Sequence, residues 1–413
     1  MKKSKGESLA LVSLGCAKNA VDLQVMAGNL LSEGWTLSSD PDRADTVVVN
    51  TCAFIASARE EAEAEIRRAL ELKRRGRYGR VVVTGCYPQR YPKAAAAFPG
   101  VDVWQGVPQE WVEPKMPALR LTGKAFAYLK IAEGCAHRCA YCAIPKIRGK
   151  YRSRPMASIL REAKALIASG CRELNVVAQD PMLWRENGKT LPDLLWAIDR
   201  IPGKFWVRVL YSYPNEITQD FLIWMANAKH AVHYVDMPIQ HTVPEVLIAM
   251  NRRAAVDASL VGADVLRDLI PDVTLRTTVM TGFPGETQLR FNRMLADLKR
   301  MQFDHLGAFA YSPEEGTKGA KLRGRPSRAA AEERERLVME QQARIWAVKA
   351  KRMLGGVHEA LVVAPGVARL ASQAPDVDGV VYVDSDRVAS FVKVRLVGVK
   401  GFDFKGEIVC LGK

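Results

Sequence analysis

The chain contains the run Glu133-Gly134-Cys135-Ala136-His137-Arg138-Cys139-Ala140-Tyr141-Cys142, in which three cysteines are spaced four and three residues apart. An apolar stretch that predicts a β-strand, Ala125 to Ile131, lies directly before it. A short loop of this kind can wrap three thiolates around one face of a cubane iron-sulfur cluster, whereas complete ligation of a four-iron four-sulfur cluster takes four. The loop therefore predicts a cluster with one iron that lacks a protein ligand.

This open iron predicts a particular chemistry. An iron without a protein ligand can chelate the amino and carboxylate groups of S-adenosylmethionine and deliver an electron to its sulfonium, which produces a 5'-deoxyadenosyl radical. Side chains cannot generate such a species themselves, so the cofactors carry this step while the protein orients them. No Ser/His/Asp triad or pair of catalytic carboxylates is needed.

Strand and helix patterns alternate from residue 123 to about residue 325, and six such units predict a partial β/α barrel. The active mouth of such a barrel lies at the carboxyl ends of its strands. We expect the cysteine loop, Gln179, Tyr211 to Pro214, Gln240 and the turn Gly282 to Glu286 to lie there. The strand candidates are Ala125 to Ile131, Glu173 to Ala178, Trp206 to Leu210, His233 to Asp236, Val273 to Met280 and His305 to Tyr311.

Three apolar runs near the N-terminus each lead into a cysteine, Cys16, Cys52 and Cys86, at intervals of 36 and 34 residues. Helical patterns over Leu23 to Glu33 and Ser57 to Lys73 separate the runs, which predicts a mostly parallel α/β sheet. Because ligands gather at the carboxyl ends of such strands, three soft thiolates are expected to meet one metal centre. The alternatives are that these cysteines only pack in the core, or that they hold zinc, which usually takes four ligands in a structural site.

Length and composition limit the class of protein. A chain of 413 residues predicts two or three domains, and 60 basic against 45 acidic residues give a formal charge of +15, which favours a polyanionic partner such as RNA or a ribonucleoprotein. The sequence contains neither an apolar run of about 18 residues nor a secretory cleavage pattern, so we expect a cytoplasmic location and no membrane partner. In that compartment the eight cysteines are poor disulfide candidates.

The C-terminal part begins with a long amphipathic pattern, Ser327 to Met353, that predicts a helix joining two domains. Alternating segments after it, Val380 to Val383 and Phe391 to Leu396, predict a small β-barrel. The predicted fold class is α/β, with an N-terminal parallel α/β domain (1–122), a central partial (β/α)6 barrel (123–343) and the small C-terminal barrel (344–413).

Several of these segments resemble known families. The cysteine loop, with Tyr141 before its last cysteine, resembles the radical S-adenosylmethionine superfamily. The methylthiotransferase family, whose N-terminal domain holds an auxiliary cluster through three cysteines, is similar in Ser13 to Asn19, Val49 to Ile55 and Gly85-Cys86. The RimO branch of that family is most similar in Asp236 to His241, Thr281 to Thr287 and Tyr311 to Thr317. The terminal module resembles a TRAM domain, an OB-like fold.

The resemblance implies a reaction, its cofactors and its partners. RimO-type enzymes methylthiolate the β-carbon of an aspartate on a loop of a ribosomal small-subunit protein, either free or on the ribosome, with an electron donor such as flavodoxin or ferredoxin. The sulfur donor is not assigned. Two 4Fe-4S clusters are implied, one radical cluster held by Cys135, Cys139 and Cys142 and one auxiliary cluster held by Cys16, Cys52 and Cys86. S-adenosylmethionine is expected to contact Tyr141, Gln179, Gln240 and Gly282.

Two other functions fit part of the pattern. A tRNA adenosine methylthiotransferase of the MiaB kind would carry the same clusters, and a zinc-containing RNA-binding protein without catalysis would need only the basic charge and the small barrel. The basic run Arg138 to Arg154 is either a solvated face or a substrate contact, and His241 is either a substrate contact or a structural residue. We expect His137 to be solvated, and Cys171 and Cys410 to be packing residues.

Overall fold

The computed structural model describes residues 6–108, 110–252 and 255–409. None of the helices in these ranges is long and apolar enough to cross a membrane. The α-helices are α1 (Ala17–Ser32), α2 (Ala56–Arg74), α3 (Cys86–Arg90), α4 (Ile144–Ile147), α5 (Met156–Ala168), α6 (Leu191–Asp199), α7 (Gln219–Asn227), α8 (Pro244–Ala249), α9 (Ala255–Leu269), α10 (Gln288–Met301) and α11 (Arg328–Met353). Short 3-10 helices occupy Pro92–Ala97, Pro181–Leu183, Pro214–Glu216 and Gly319–Lys321.

The strands fall into three groups along the chain. The N-terminal group comprises β1 (Ser8–Ser13), β2 (Thr36–Leu37), β3 (Ala44–Thr51), β4 (Tyr78–Gly85) and β5 (Val103–Gln105). The middle group comprises β6 (Phe126–Lys130), β7 (Ala132–Glu133), β8 (Arg152–Ser153), β9 (Glu173–Val177), β10 (Arg185–Glu186), β11 (Lys189–Thr190), β12 (Trp206–Val209), β13 (Tyr234–Asp236), β14 (Thr274–Thr281) and β15 (His305–Ala310). The C-terminal group comprises β16 (Val357–Ala364), β17 (Val367–Leu370), β18 (Val381–Tyr382), β19 (Phe391–Lys400) and β20 (Asp403–Ile408).

The N-terminal strands form a parallel sheet in the order β2-β1-β3-β4-β5. Its central strand is apolar on both faces because helices cover both sides. Val47 and Val49 pack in one core cluster with Ile66 of α2, whereas Val48 packs in another with Leu23 of α1. The predicted parallel α/β unit is confirmed, and α1 begins at Ala17, six residues earlier than the helical pattern indicates.

The middle strands build the predicted partial barrel. Two parallel sheets, β6-β9-β12 and β13-β14-β15, are joined where Val207 of β12 pairs with Ala231, just ahead of β13. The strand order therefore follows the chain, β6-β9-β12-β13-β14-β15. Each of the six strands begins and ends within one residue of its predicted position.

The C-terminal strands form the predicted small barrel. It is closed, and its strand order is β16-β17-β18-β20-β19. Helix α11 precedes it and begins after Ser327, whose hydroxyl accepts a hydrogen bond from the Ala330 amide at 3.2 Å. Helix α1, the middle strands and the C-terminal strands contribute to one apolar cluster, which contains Val21 of α1, Trp206 of β12 and Leu361 of β16. The N-terminal domain, through α1, the partial barrel and the small barrel therefore pack directly on one another.

Candidate active site

Six cysteines line a single cavity of about 380 Å³ between the N-terminal sheet and the partial barrel. Cys16, Cys52 and Cys86 follow strands β1, β3 and β4 of the first sheet, and three more come from the loop after β7. The cavity lies at the carboxyl ends of both sets of strands, as expected for parallel α/β folds. The six lining cysteines, all free thiols, are Cys16, Cys52, Cys86, Cys135, Cys139 and Cys142.

The loops that carry Cys16 and Cys52 approach each other closely. Gly15 has φ +89°, and a Cβ on this residue would lie 2.6 Å from the Cβ of Cys52. The Asn19 side chain donates hydrogen bonds to the Leu14 carbonyl at 2.7 Å and to the Thr51 carbonyl at 3.1 Å, which ties the two loops together. The Ser13 to Asn19 segment therefore sets the distance between two of the three N-terminal thiols.

The three N-terminal thiols differ in their electrostatic environment. Burial opposes ionisation of Cys16, yet Lys18, Arg148 and two backbone amides lower its pKa below the usual value. Burial raises the pKa of Cys52, and it raises the pKa of Cys86 to about 12 despite the opposing charge of Arg148. Cys16, which caps the start of α1, is therefore the thiol of this set that ionises most readily.

The second set is held in a tight loop. Gly134 has φ +76°, and a Cβ there would lie 2.2 Å from the Lys150 carbonyl oxygen, so only glycine allows the loop to close at this point. Within the loop the Cys142 amide donates to the Cys139 carbonyl at 3.1 Å. Burial raises the pKa of Cys135 to about 11 and that of Cys142 to about 12. These thiols would release protons on binding iron, since thiolates are the ligating form.

A buried network of charges joins the two domains beside the cavity. Arg148 donates to Asp22 at 2.5 Å and to Glu133 at 3.2 Å, and its other terminal nitrogen lies 3.3 Å from the Cys86 sulfur. Lys130 also pairs with both carboxylates. Burial would raise the pKa of Glu133, but Lys130 and Arg148 lower it to about 2. Arg148 comes from the barrel loop and contacts a thiol of the other domain.

Thiols are the donor set that iron-sulfur clusters take in proteins, and three per set leave one position open on a four-iron cluster. Among the described residues, no three His, Cys, Asp or Glu side chains gather closely enough to hold a single metal ion. Unsatisfied polar atoms also face the cavity. The side-chain oxygens of Gln179 and Gln240 and the hydroxyl of Ser212 are buried and have no hydrogen-bond partner among the described residues. The cavity can therefore accept polar ligands beside the thiols.

Three of the four predicted S-adenosylmethionine residues, Tyr141, Gln179 and Gln240, line this cavity. Tyr141 and Gln240 also line an adjoining cavity of about 250 Å³. Gly282 lies outside both. Its amide donates to Glu286 at 2.9 Å, and a Cβ added to it would lie 2.2 Å from that of Ala331 on α11. The glycine is needed there for close packing of the helix against the turn.

The structure contradicts the expectation for His137 and one of the two alternatives for the basic run. His137 is not simply solvated, because its Nε2 lies 2.6 Å from Asp180 and its ring stacks on Tyr213 at 3.9 Å between centroids. The loop folds onto the barrel mouth, which places His137 in the cavity wall. The basic run Arg138 to Arg154 is not one solvated face, because Arg148 and Arg154 are buried in ion pairs.

Two further residues from the sequence analysis, His241 and Cys171, do not line the cavity. His241 is fully buried; its Nδ1 accepts from the Val243 amide at 3.0 Å and its Nε2 faces Glu286 at 3.3 Å, a position that favours the structural alternative. Cys171 packs in the barrel core as predicted, whereas Cys410 lies outside the described residues. Sequence reasoning missed Lys18 and Arg252 in the cavity wall. Lys18 lies inside the Ser13 to Asn19 segment, which was a usable signal, whereas nothing in the sequence pointed to Arg252.

Comparison with known proteins agrees with this architecture. Residues 8–106 match the model of an uncharacterized protein family, UPF0004. Residues 129–298 match the radical SAM superfamily, and residues 358–409 match the TRAM domain. The three matches follow the three groups of strands.

Full-length relatives are more specific. The ribosomal protein uS12 methylthiotransferase RimO of Moorella thermoacetica is 40% identical over 97% of this chain and 99% of that protein. The protein of the same name from Syntrophus aciditrophicus is 39% identical over 97% of this chain and 98% of that protein. The chain belongs to the RimO family.

RimO membership confirms the resemblance seen in the sequence and makes this chain a radical S-adenosylmethionine methylthiotransferase. Among solved structures, the radical S-adenosylmethionine methyltransferase TsrM from Kitasatospora setae, with cobalamin and a [4Fe-4S] cluster bound, superposes with a TM-score of 0.53. It is 16% identical, and the match covers 88% of this chain and 80% of that chain. At this identity the likeness supports the fold alone.

Proposed function

We propose that this RimO-family chain methylthiolates the β-carbon of an aspartate in ribosomal protein uS12, using two 4Fe-4S clusters and S-adenosylmethionine. The observation that carries the proposal is the single cavity lined by six thiols, three from each domain. A reaction that joins a methylthio group to a carbon radical needs both reactants at one place, and positioning of this kind lowers the barrier most. The names of the relatives favour uS12 over the tRNA alternative.

The proposal assigns one cluster to each set of thiols. Cys16, Cys52 and Cys86 would hold the auxiliary cluster, and Cys135, Cys139 and Cys142 would hold the radical cluster. When bound, the two clusters and S-adenosylmethionine supply the electron, the 5'-deoxyadenosyl radical and the methylthio group.

The residues around the thiols orient these groups and exclude water. Tyr141, Gln179 and Gln240 are proposed to contact S-adenosylmethionine, and the last two present unsatisfied oxygens. Gly282 would contribute only by letting α11 pack against the barrel turn. Apolar side chains, including Phe54 and Ile147, line the same cavity and would keep water from a reactive radical.

The proposed partners follow from this substrate. A loop of uS12 would enter the cavity, and the formal charge of +15 would favour approach to ribosomal RNA. A flavodoxin or ferredoxin is the proposed electron donor, and the cytoplasm is the proposed location. The boundaries 1–122, 123–343 and 344–413 are proposed for the auxiliary-cluster, radical and TRAM-like domains.

Anaerobic reconstitution tests the proposal. The reconstituted chain is mixed with S-adenosylmethionine, dithionite and a peptide of the uS12 target loop. We expect 5'-deoxyadenosine and a methylthio mass increment on the aspartate. Modification of bulk tRNA with none on uS12 would contradict the substrate assignment. Bound zinc without iron would contradict the assignment as a radical enzyme.

A further inference from the structure

Lys18 is a buried cation in the cavity wall. Its side chain is only 9% exposed, and its ammonium lies 3.3 Å from the centroid of the Tyr211 ring. In the described part of the chain, no carboxylate oxygen lies within 4.0 Å of this ammonium. The face of an aromatic ring attracts a cation but does not replace a carboxylate partner.

The other buried lysine of this region shows what Lys18 lacks. Lys130 is similarly buried and pairs with both Asp22 and Glu133. The carboxylate near Lys18 along this wall, Asp236, is already engaged. Its two oxygens accept from the Tyr211 amide at 3.0 Å and from Arg276 at 3.0 Å. Asp236 therefore holds the ring beneath Lys18 and leaves the ammonium without a carboxylate partner among the described residues.

A second polar group of the cavity wall, in the residue after Tyr211, is also unsatisfied. Ser212 is 1% exposed, its hydroxyl has no hydrogen-bond partner among the described residues, and it lines the same cavity as Lys18. An ammonium and a hydroxyl can both donate to the two oxygens of one carboxylate. Because buried polar groups are normally satisfied, this part of the wall is built for an anionic ligand.

We propose that Lys18, assisted by Ser212, binds the side-chain carboxylate of the substrate aspartate and thereby positions its β-carbon between the two sets of thiols. This inference rests on the proposed function. The β-carbon is bonded directly to the carboxyl carbon, so fixing the carboxylate leaves the reacting carbon one bond away. Lys18 lies two residues after Cys16, which places this carbon beside the proposed auxiliary cluster.

The same contact makes Lys18 a specificity residue. A substrate with a neutral group in this position, such as an amide or an adenine ring, would leave the buried ammonium without a carboxylate partner. Sites built around a buried polar partner reject analogues that lack it far more strongly than apolar pockets reject a change of shape. Lys18 would therefore select aspartate over its isosteric amide, asparagine.

The test compares two peptides of the uS12 target loop, one with the aspartate and one with asparagine at that position. Dissociation constants for both peptides and for S-adenosylmethionine, and kcat/KM for methylthiolation, are measured on the reconstituted wild type and on Lys18→Met and Lys18→Arg. Lys164→Met, the same change on the exposed face of α5, is the matched control.

We expect the wild type and Lys164→Met to bind the aspartate peptide at least about tenfold more tightly than the asparagine peptide. In Lys18→Met this ratio should fall to about one, and Lys18→Arg should keep most of it. If Lys18 had a purely structural role, Lys18→Met would bind both peptides more weakly by the same factor, and the ratio of the two dissociation constants would not change.

Three results would overturn the inference. Lys18→Met could lose affinity equally for both peptides, it could lose affinity for S-adenosylmethionine alone, or the wild-type protein could bind both peptides equally. The last comparison needs no variant and decides the matter if Lys18→Met fails to fold or to load iron. If the wild type does not methylthiolate the aspartate peptide at all, the proposed function fails. If it does so without the predicted ratio, only the role of Lys18 fails.

Discussion

At the scale of single residues, Arg148 connects the segment after the cysteine loop with the N-terminal set of thiols. It belongs to the loop that follows Cys142, yet it donates to Asp22, 126 positions away, and contacts the Cys86 sulfur at 3.3 Å. Its positive charge lowers the pKa of Cys86, against the larger effect of burial. Hydrogen bonds and charges near the ligand sulfurs are among the factors that set the potential of an iron-sulfur cluster.

Replacing Arg148 with glutamine is expected to lower the reduction potential of the N-terminal cluster by tens of millivolts, because a cationic donor stabilises the more negative reduced state. The potential of the second cluster should change much less. A redox titration followed by electron paramagnetic resonance measures both. Arg154→Gln is the control, because this arginine is equally buried but pairs with Glu162 and not with a cysteine. Equal shifts in both clusters would argue against a local effect of Arg148.

The sequence identified the cysteines because their spacing is a local property. The three positions in the loop and the three strand ends could be read directly, and so could the packing role of Cys171. Arg148 and Arg252 could not be assigned, since their partners come from distant parts of the chain, whereas Lys18 lies in a segment that offered a usable signal. The stacking of His137 on Tyr213 depends on the same long-range approach.

At the scale of secondary-structure elements, the junctions between strands and helices place the thiols. Cys16 ends the turn after β1 and caps α1, and Cys86 follows β4 as the first residue of α3. The pattern of alternating apolar strands predicted these junctions well. The pattern missed the first turns of α1, because residues 17–22 have little helical periodicity. The helix starts there because the Cys16 carbonyl accepts hydrogen bonds from the Asn19 and Ala20 amides.

Gly15→Ala tests the close approach of β1 and β3. The added Cβ would lie 2.6 Å from that of Cys52, and the residue would also have to keep φ +89°. We expect loss of iron from the N-terminal site and retention at the loop site, measured by iron and sulfide analysis. Gly76→Ala is the control, because Gly76 also has a positive φ, +69°, but a Cβ there meets nothing within 4 Å. If both variants lost iron equally, backbone strain and not the contact with Cys52 would be responsible.

At the scale of the whole molecule, buried ion pairs hold the small barrel on the partial barrel. Glu173 of β9 accepts from Arg208 at 2.9 Å and pairs with Arg369 of β17, and all three side chains are buried. Burial opposes ionisation of Glu173, but the two arginines hold its pKa below the usual value. The sequence predicted each domain, but this docking could not be read from it because neither arginine lies in a recognisable motif.

Glu173→Gln should destabilise the protein by about 3 kcal/mol or more at pH 7, because it leaves two buried guanidinium groups unpaired. A lowered carboxyl pKa stabilises the fold above the unfolded value, about 4.3, and this contribution is lost as the pH falls below that value. The difference between wild type and variant should therefore stay constant from pH 7 to about pH 5 and shrink below about pH 4.3, as measured by chemical unfolding. Lys204→Gln breaks an exposed pair with Glu359 across the same interface and should cost less than about 1 kcal/mol. A difference that does not change with pH would contradict the assignment to Glu173.

The whole arrangement depends on two clusters that face one cavity. The most direct measurement is the iron content per chain, with electron paramagnetic resonance, of anaerobically reconstituted wild type and of two triple variants. One variant replaces Cys16, Cys52 and Cys86 with alanine, and the other replaces Cys135, Cys139 and Cys142. We predict about eight iron atoms in the wild type and about four in each variant, with a different cluster signal in each. Wild-type protein with only one cluster, or a triple variant that keeps the full iron content, would contradict the account.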